Sequence, residues 1–227
     1  MNFDTYKFRP SQVGILMTNG RDKSDPLGET VKNYLSDCYI QAKYKRSKDI
    51  TSKFLEKGLM VEEDAITLYT DFKNELFFKN EKRFDNDFLI GTPDIVTRDR
   101  IIDIKSSWDI FTFAKSIREE NKIYWWQLQA YMALTGKQNA TLVYCLVDTP
   151  ESIIQREIKK AYYQSGLSED NESYKEYVNE MISYYRYEDI PTEKRIIEKH
   201  YTFDAAKMDE LYARIEQCRN HLNSLNF

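Results

Sequence analysis

The sequence of 227 residues contains only two histidines, His200 and His221, both late in the chain. That scarcity argues against mechanisms built on several histidines, histidine-ligated zinc hydrolysis included. Cysteine is equally sparse. Cys38, Cys145 and Cys218 lie far apart with no Cys-x-x-Cys pair, which argues against a zinc ribbon or another local cysteine metal site. Their odd number, and a start (MNFDTYKFRP) without an apolar leader, fit a reducing, cytoplasmic setting. No run approaches the ~20 apolar residues of a membrane span, so no membrane partner is expected. With 7 Gly, 5 Pro, no low-complexity tract and no internal repeat, residues 1–227 read as one domain. A strong basic excess is also missing. The 33 Lys/Arg stand against 37 Asp/Glu, a net charge of −4. That argues against a strongly basic nucleic-acid coat protein but leaves room for an enzyme with a local basic groove.

What is present is an ordinary globular composition, 41% apolar and 31% charged, at a length that can bury a core. The catalytic currency is carboxylate, lysine and tyrosine. Charge is uneven: residues 1–60 carry 11 Lys/Arg against 7 Asp/Glu, and residues 161–227 carry 8 against 13. The densest basic patch contains Lys43, Lys45 and Arg46. It reads either as a solvated helix face or loop, or as a phosphate-contacting surface.

Hydrophobic spacing predicts a short helix over 10–19, opened by Pro10-Ser11, and helices over 27–44 and 51–70. In the last of these, Phe54, Leu55, Met60, Val61, Ala65, Leu68 and Tyr69 can share one apolar stripe. A β-rich region follows from Leu76, with a hairpin of 91–97 and 101–106 about the polar turn Arg98-Asp99-Arg100. Helices are expected at 109–118 and 122–135, the second ending at Gly136. A buried strand is expected at 141–148, helices at 151–164 and 171–187, a strand at 194–203 and a helix at 204–223. The order describes an α/β domain, a mixed central sheet flanked by helices.

Chemistry concentrates on the hairpin. Asp103 and Lys105 alternate with Ile102 and Ile104 and so share one face of a strand. Asp94 lies nine residues earlier, across one tight turn. An Asp and a Lys in an apolar strand are costly to bury unless paired or metal-bound. Taken alone, Asp103-x-Lys105 reads as a simple salt bridge. Upstream, Gly58 and Glu62 are four apart in a helical stretch. Downstream, Gln127 and Tyr131 are four apart and share a helix face.

In this order the segments GLMVEEDA, GTPDIV, IIDIKSSWD and QLQAY resemble the PD-(D/E)XK nuclease superfamily. They are most similar to its RecB-like branch, which contains phage lambda exonuclease and the YqaJ-type viral recombinases. The resemblance covers roughly residues 54–150 and implies a restriction-endonuclease-like core. It implies Glu62 (rather than Glu63), Asp94, Asp103 and the main-chain carbonyl of Ile104 as Mg²⁺ ligands, with Mn²⁺ as a substitute. Lys105, Gln127 and Tyr131 would complete the catalytic set. FRPSQVG would place Arg9 or Ser11 near a DNA-end phosphate, though Ser11 equally suits helix capping. The branch's iron–sulfur subset needs four cysteines and is excluded.

The implied activity is a metal-dependent nuclease on double-stranded DNA ends, in phage recombination or repair. A homo-oligomer, as a trimeric ring, and a single-strand annealing protein would be its partners in the host cytoplasm. An endonuclease with the same core, or a catalytically silent DNA-binding subunit, stand as alternatives. The burial and charge terms on Lys105 oppose each other, and the sequence leaves their balance open.

Overall fold

The computed structural model describes residues 2–20, 25–48, 52–166 and 171–226. Two short helices, α1 (Pro10–Leu16) and α3 (Lys53–Met60), and two longer ones, α2 (Glu29–Tyr44) and α4 (Glu62–Lys73), precede the strands. A two-stranded ladder pairs β1 (Phe84–Asp85) with β2 (Ile90–Gly91). The main sheet runs β3 (Ile95–Val96), β4 (Arg100–Ser106), β5 (Asn139–Cys145) and β6 (Ile196–Thr202). β3–β4 and β5–β6 are antiparallel and β4–β5 is parallel. The parallel pair needs a crossover, supplied by α5 (Ile110–Arg118) and α6 (Lys122–Thr135). α7 (Glu151–Ser165) and α8 (Glu172–Tyr184) join β5 to β6, and α9 (Ala205–Ser224) closes the chain. This is the mixed α/β sheet that the sequence implies.

Local chemistry sets the boundaries. Asp109 accepts from the Thr112 N–H at 2.8 Å while the Thr112 hydroxyl takes the Asp109 N–H at 3.0 Å, a reciprocal cap that starts α5. Asn121 caps α6, and Gly136 ends it at φ 71°, where a side chain would be strained. β4 sorts its residues by alternation. Ile102 and Ile104 face α4 with Ala65 and Tyr69, whereas Ile101 faces α6 with Leu128 and Met132. A third cluster joins α1, α2 and α9 through Val13, Leu35, Leu211 and Ile215.

Four expectations are corrected. The stretch 51–70 is two helices broken at Val61, so Phe54, Leu55 and Met60 are exposed while Val61, Ala65, Leu68 and Tyr69 are buried. Residues 76–78 form no strand; Phe77 alone of the three is buried, stacked on Tyr69 with ring centroids 5.0 Å apart. The hairpin's first strand is interrupted at 92–94, where Pro93 has no N–H for the ladder. Ser11 caps nothing: it is the second residue of α1, and the N-cap position belongs to Arg9.

α3 is tied to the turn after β4 by a buried lysine. Lys57 Nζ donates to the Trp108 carbonyl at 2.9 Å and lies over the Trp108 and Tyr187 rings. Burial pushes its ammonium down to about 8, against the pull of Asp109 and Asp148. Above that pH the unfolded chain still holds the proton that the folded chain has lost. The cost to folding is therefore complete at lower pH and shrinks as pH rises towards an ordinary lysine value. Relative to Lys57→Met, the wild type should gain about 2 kcal/mol between about pH 7 and about pH 9.5. Urea unfolding at the two pH values reads this, and a flat or falling difference would contradict it.

Candidate active site

The cleft opens at the C-terminal end of β4. It holds about 460 Å³ between α3, the segment before β3, β4 and α6, and its lining includes Glu62, Asp94, Ile104, Lys105 and Tyr124. A second hollow of about 480 Å³ shares Phe54, Lys105, Ser106 and Tyr124 with it and continues past Ser107 and Trp108 to Lys115 and Lys122.

Asp103 is the buried centre, 1% exposed. Its Oδ1 accepts from Gln127 Nε2 at 2.9 Å. Its Oδ2 lies 2.6 Å from Lys105 Nζ but has no well-aligned hydrogen-bond donor. The contact is a close ion pair. Asp94 precedes β3, and its Oδ2 accepts the Ile104 N–H at 2.8 Å. Burial first, and then the neighbouring Asp103 charge, push the Asp94 carboxyl up to about 7, against Lys105 and the Ile104 N–H. Burial works to depress Lys105, yet the Asp103 and Asp94 carboxylates outweigh it and hold the ammonium above the ordinary lysine range. The balance that the sequence left open falls to the carboxylates.

α6 supplies the wall over these groups. Lys105 Nζ lies 5.2 Å from the Tyr124 ring centre. Tyr131, one turn beyond Gln127, donates to the Thr92 carbonyl at 3.1 Å, fixing the loop that carries Asp94. Gly91 is required there, because a Cβ would sit 2.7 Å from Pro10 Cδ and 3.1 Å from the Tyr131 ring. α3 contributes an apolar wall of Phe54, Leu55 and Leu59, all exposed.

Glu62 lines the cleft and Glu63 is exposed beside it, but the Glu62 Oε2 pairs with Lys79 at 2.7 Å. Among the described residues, no group of three or more Asp, Glu, His or Cys is gathered closely enough to hold a metal as it stands. The donor set nonetheless suits a hard cation. Asp94 and Asp103 repel each other, and the candidate ligands are all oxygen.

No family model and no curated protein matches the sequence. Solved structures do. The chain is similar to a phage related exonuclease from Haemophilus somnus 129PT, with a TM-score of 0.75 at 22% identity over 96% of this chain and 94% of that one. The chain shares the fold of that protein. It is also similar to the alkaline exonuclease LHK-Exo from Laribacter hongkongensis (TM-score 0.66, 15% identity, 97% of this chain and 90% of that one). The complex of LHK-Exo with dAMP gives a TM-score of 0.65 at 16% identity with the same coverage. Within this fold Asp94, Asp103 and Lys105 come together with Gln127.

The residues expected to contact nucleic acid near the N-terminus do not line these two hollows. Arg9 and Ser11 are exposed and line neither hollow, although Pro10 between them abuts Gly91. Lys43, Lys45 and Arg46 also line neither, and Lys43 bonds Tyr39 at 2.7 Å. The lysines that do line them are Lys105, Lys115 and Lys122. Sequence reasoning missed Lys79, Tyr124, Lys115 and Lys122. Tyr124 was within reach, standing one helical step before Gln127 on the same face. Lys79 lies in a stretch without periodicity and left no signal.

No helix among the described residues is long and apolar enough to cross a membrane.

Proposed function

We infer that the protein is a divalent-cation-dependent deoxyribonuclease, an exonuclease acting at the ends of double-stranded DNA. One observation carries the reading: Asp94 and Lys105 line one cleft and converge on the buried Asp103 beneath it, whose carboxylate Gln127 bonds. The overall likeness to structures named as exonucleases supports the choice of exonuclease. Glu62, Asp94, Asp103 and the Ile104 carbonyl are the hard oxygen donors that would hold Mg²⁺, or Mn²⁺ in its place. When bound, such a cation neutralises the phosphate and acidifies water.

The protein's own groups do the rest. Lys105, a compact ammonium held by Asp103, orients the attacking water and stabilises negative charge developing on the phosphate. Gln127 fixes the Asp103 carboxylate, and Tyr131 holds the loop bearing Asp94. Lys115 and Lys122 offer charge to neighbouring phosphates, while Phe54 and Leu59 offer an apolar wall to bases or sugars.

The test uses three duplexes of one sequence: linear with 5′ or 3′ labels, nicked, and covalently closed. The reading expects the linear duplex to shorten from an end and the closed circle to survive. Cutting of the closed circle at a comparable rate would make the enzyme an endonuclease.

A further inference from the structure

Two lysines sit on the carboxylates of the cleft. Lys105 on Asp103 belongs to the recognised motif. Lys79 on Glu62 belongs to none, yet the fold places it with care. On one side of it, Phe77 is buried and stacked on Tyr69 of α4. On the other, Asn80 is moored to the Asp94 loop: its N–H donates to the Asp94 carbonyl at 2.7 Å and its Nδ2 to the Pro93 carbonyl at 3.0 Å. The segment thus bridges the elements that carry Glu62 and Asp94. Between these two anchors, Lys79 Nζ reaches Glu62 Oε2 at 2.7 Å. The Lys79 side chain is 45% exposed and that of Glu62 24%. An ion pair this open is weak and easily broken.

We propose that Lys79 is a built-in competitor of the divalent cation. Its ammonium occupies Glu62 and is given up when Glu62 becomes an oxygen ligand, so Lys79 sets how much cation the site requires. The inference rests on Glu62 being a ligand in the proposed nuclease. A merely structural Lys79 would weaken cation binding when lost, because Glu62 would then be less well placed. A competitor has the opposite sign.

The test is calorimetric titration of the full-length protein with Mn²⁺, without DNA. Lys79→Met should bind Mn²⁺ about three- to fivefold more tightly than wild type. Lys79→Gln should shift the same way, and either variant suffices if the other fails to fold. Lys79→Arg keeps the pair and should bind no more tightly than wild type. In a Glu62→Gln background, Lys79→Met should change nothing, since the pair is already gone. Unchanged or weaker binding in Lys79→Met and Lys79→Gln would overturn the inference, as would a gain that persists with Glu62→Gln. Asp103→Asn in the same series separates the two levels. If wild type binds no Mn²⁺, or Asp103→Asn binds as well as wild type, the nuclease reading itself fails. If binding depends on Asp103 but not on Lys79, only this inference fails.

Discussion

Replacing Lys105 with alanine should slow duplex hydrolysis by about 10²–10³-fold with the fold intact, the loss expected when one preorganised electrostatic group is removed from a site of this kind. The side chain is 24% exposed and leaves from the end of β4, so truncation opens no buried cavity. What goes is the only lysine paired with Asp103 among the described residues. Lys105→Arg should not restore the rate, because a planar guanidinium cannot reproduce a compact ammonium 2.6 Å from the buried carboxylate. Single-turnover kinetics on linear duplex measures the effect, with thermal melting as the check on folding. Equal rates for Lys105→Ala and wild type would remove Lys105 from the mechanism.

Asp103→Asn should cost as much, on the order of 10²–10³-fold in rate, and should also weaken cation binding. The amide keeps the shape of the carboxylate and can still accept from Gln127, so packing under α6 survives. Its NH₂ would then face the Lys105 ammonium, donor against donor, and the buried negative charge disappears. Asp94 should respond in turn. With Asp103 neutral, the second-largest of the effects that raise the Asp94 carboxyl is gone, and its pKa should fall from about 7 towards the ordinary carboxylate range. Carbonyl ¹³C titration of Asp94 in the variant reads this directly. An unmoved Asp94 would mean that the two carboxylates do not sense each other.

The sequence exposes those parts of this site that obey a local period. Asp103 and Lys105 share a strand face because β side chains alternate, and Gln127 and Tyr131 share a helix face because α side chains return after four residues. Both follow from spacing alone. The helix over 122–135 and its stop at Gly136 are legible for the same reason. The break at Val61 is not, because an apolar stripe continues across it and only the tertiary packing of α4 shows that Phe54 and Leu55 face outward. Lys79 and Asn80 are invisible to spacing, since a segment outside any helix or strand carries them to Glu62 and Asp94. The basic patch at Lys43, Lys45 and Arg46 lines neither hollow. Charge density in sequence does not say which surface it covers, and the lysines lining the two hollows come from β4, α5 and α6 instead.

The central claim is that Glu62, Asp94, Asp103 and Lys105 form a cation-dependent centre for cutting DNA. Release of acid-soluble nucleotides from linear duplex, followed as Mg²⁺ is titrated into chelator-treated enzyme, tests it most directly. Release should be absent in chelator, rise to saturation with Mg²⁺, and fall by about 10²–10³-fold in Asp103→Asn at every Mg²⁺ concentration. Undiminished release in excess chelator, or no release at any Mg²⁺ or Mn²⁺ concentration, would contradict it.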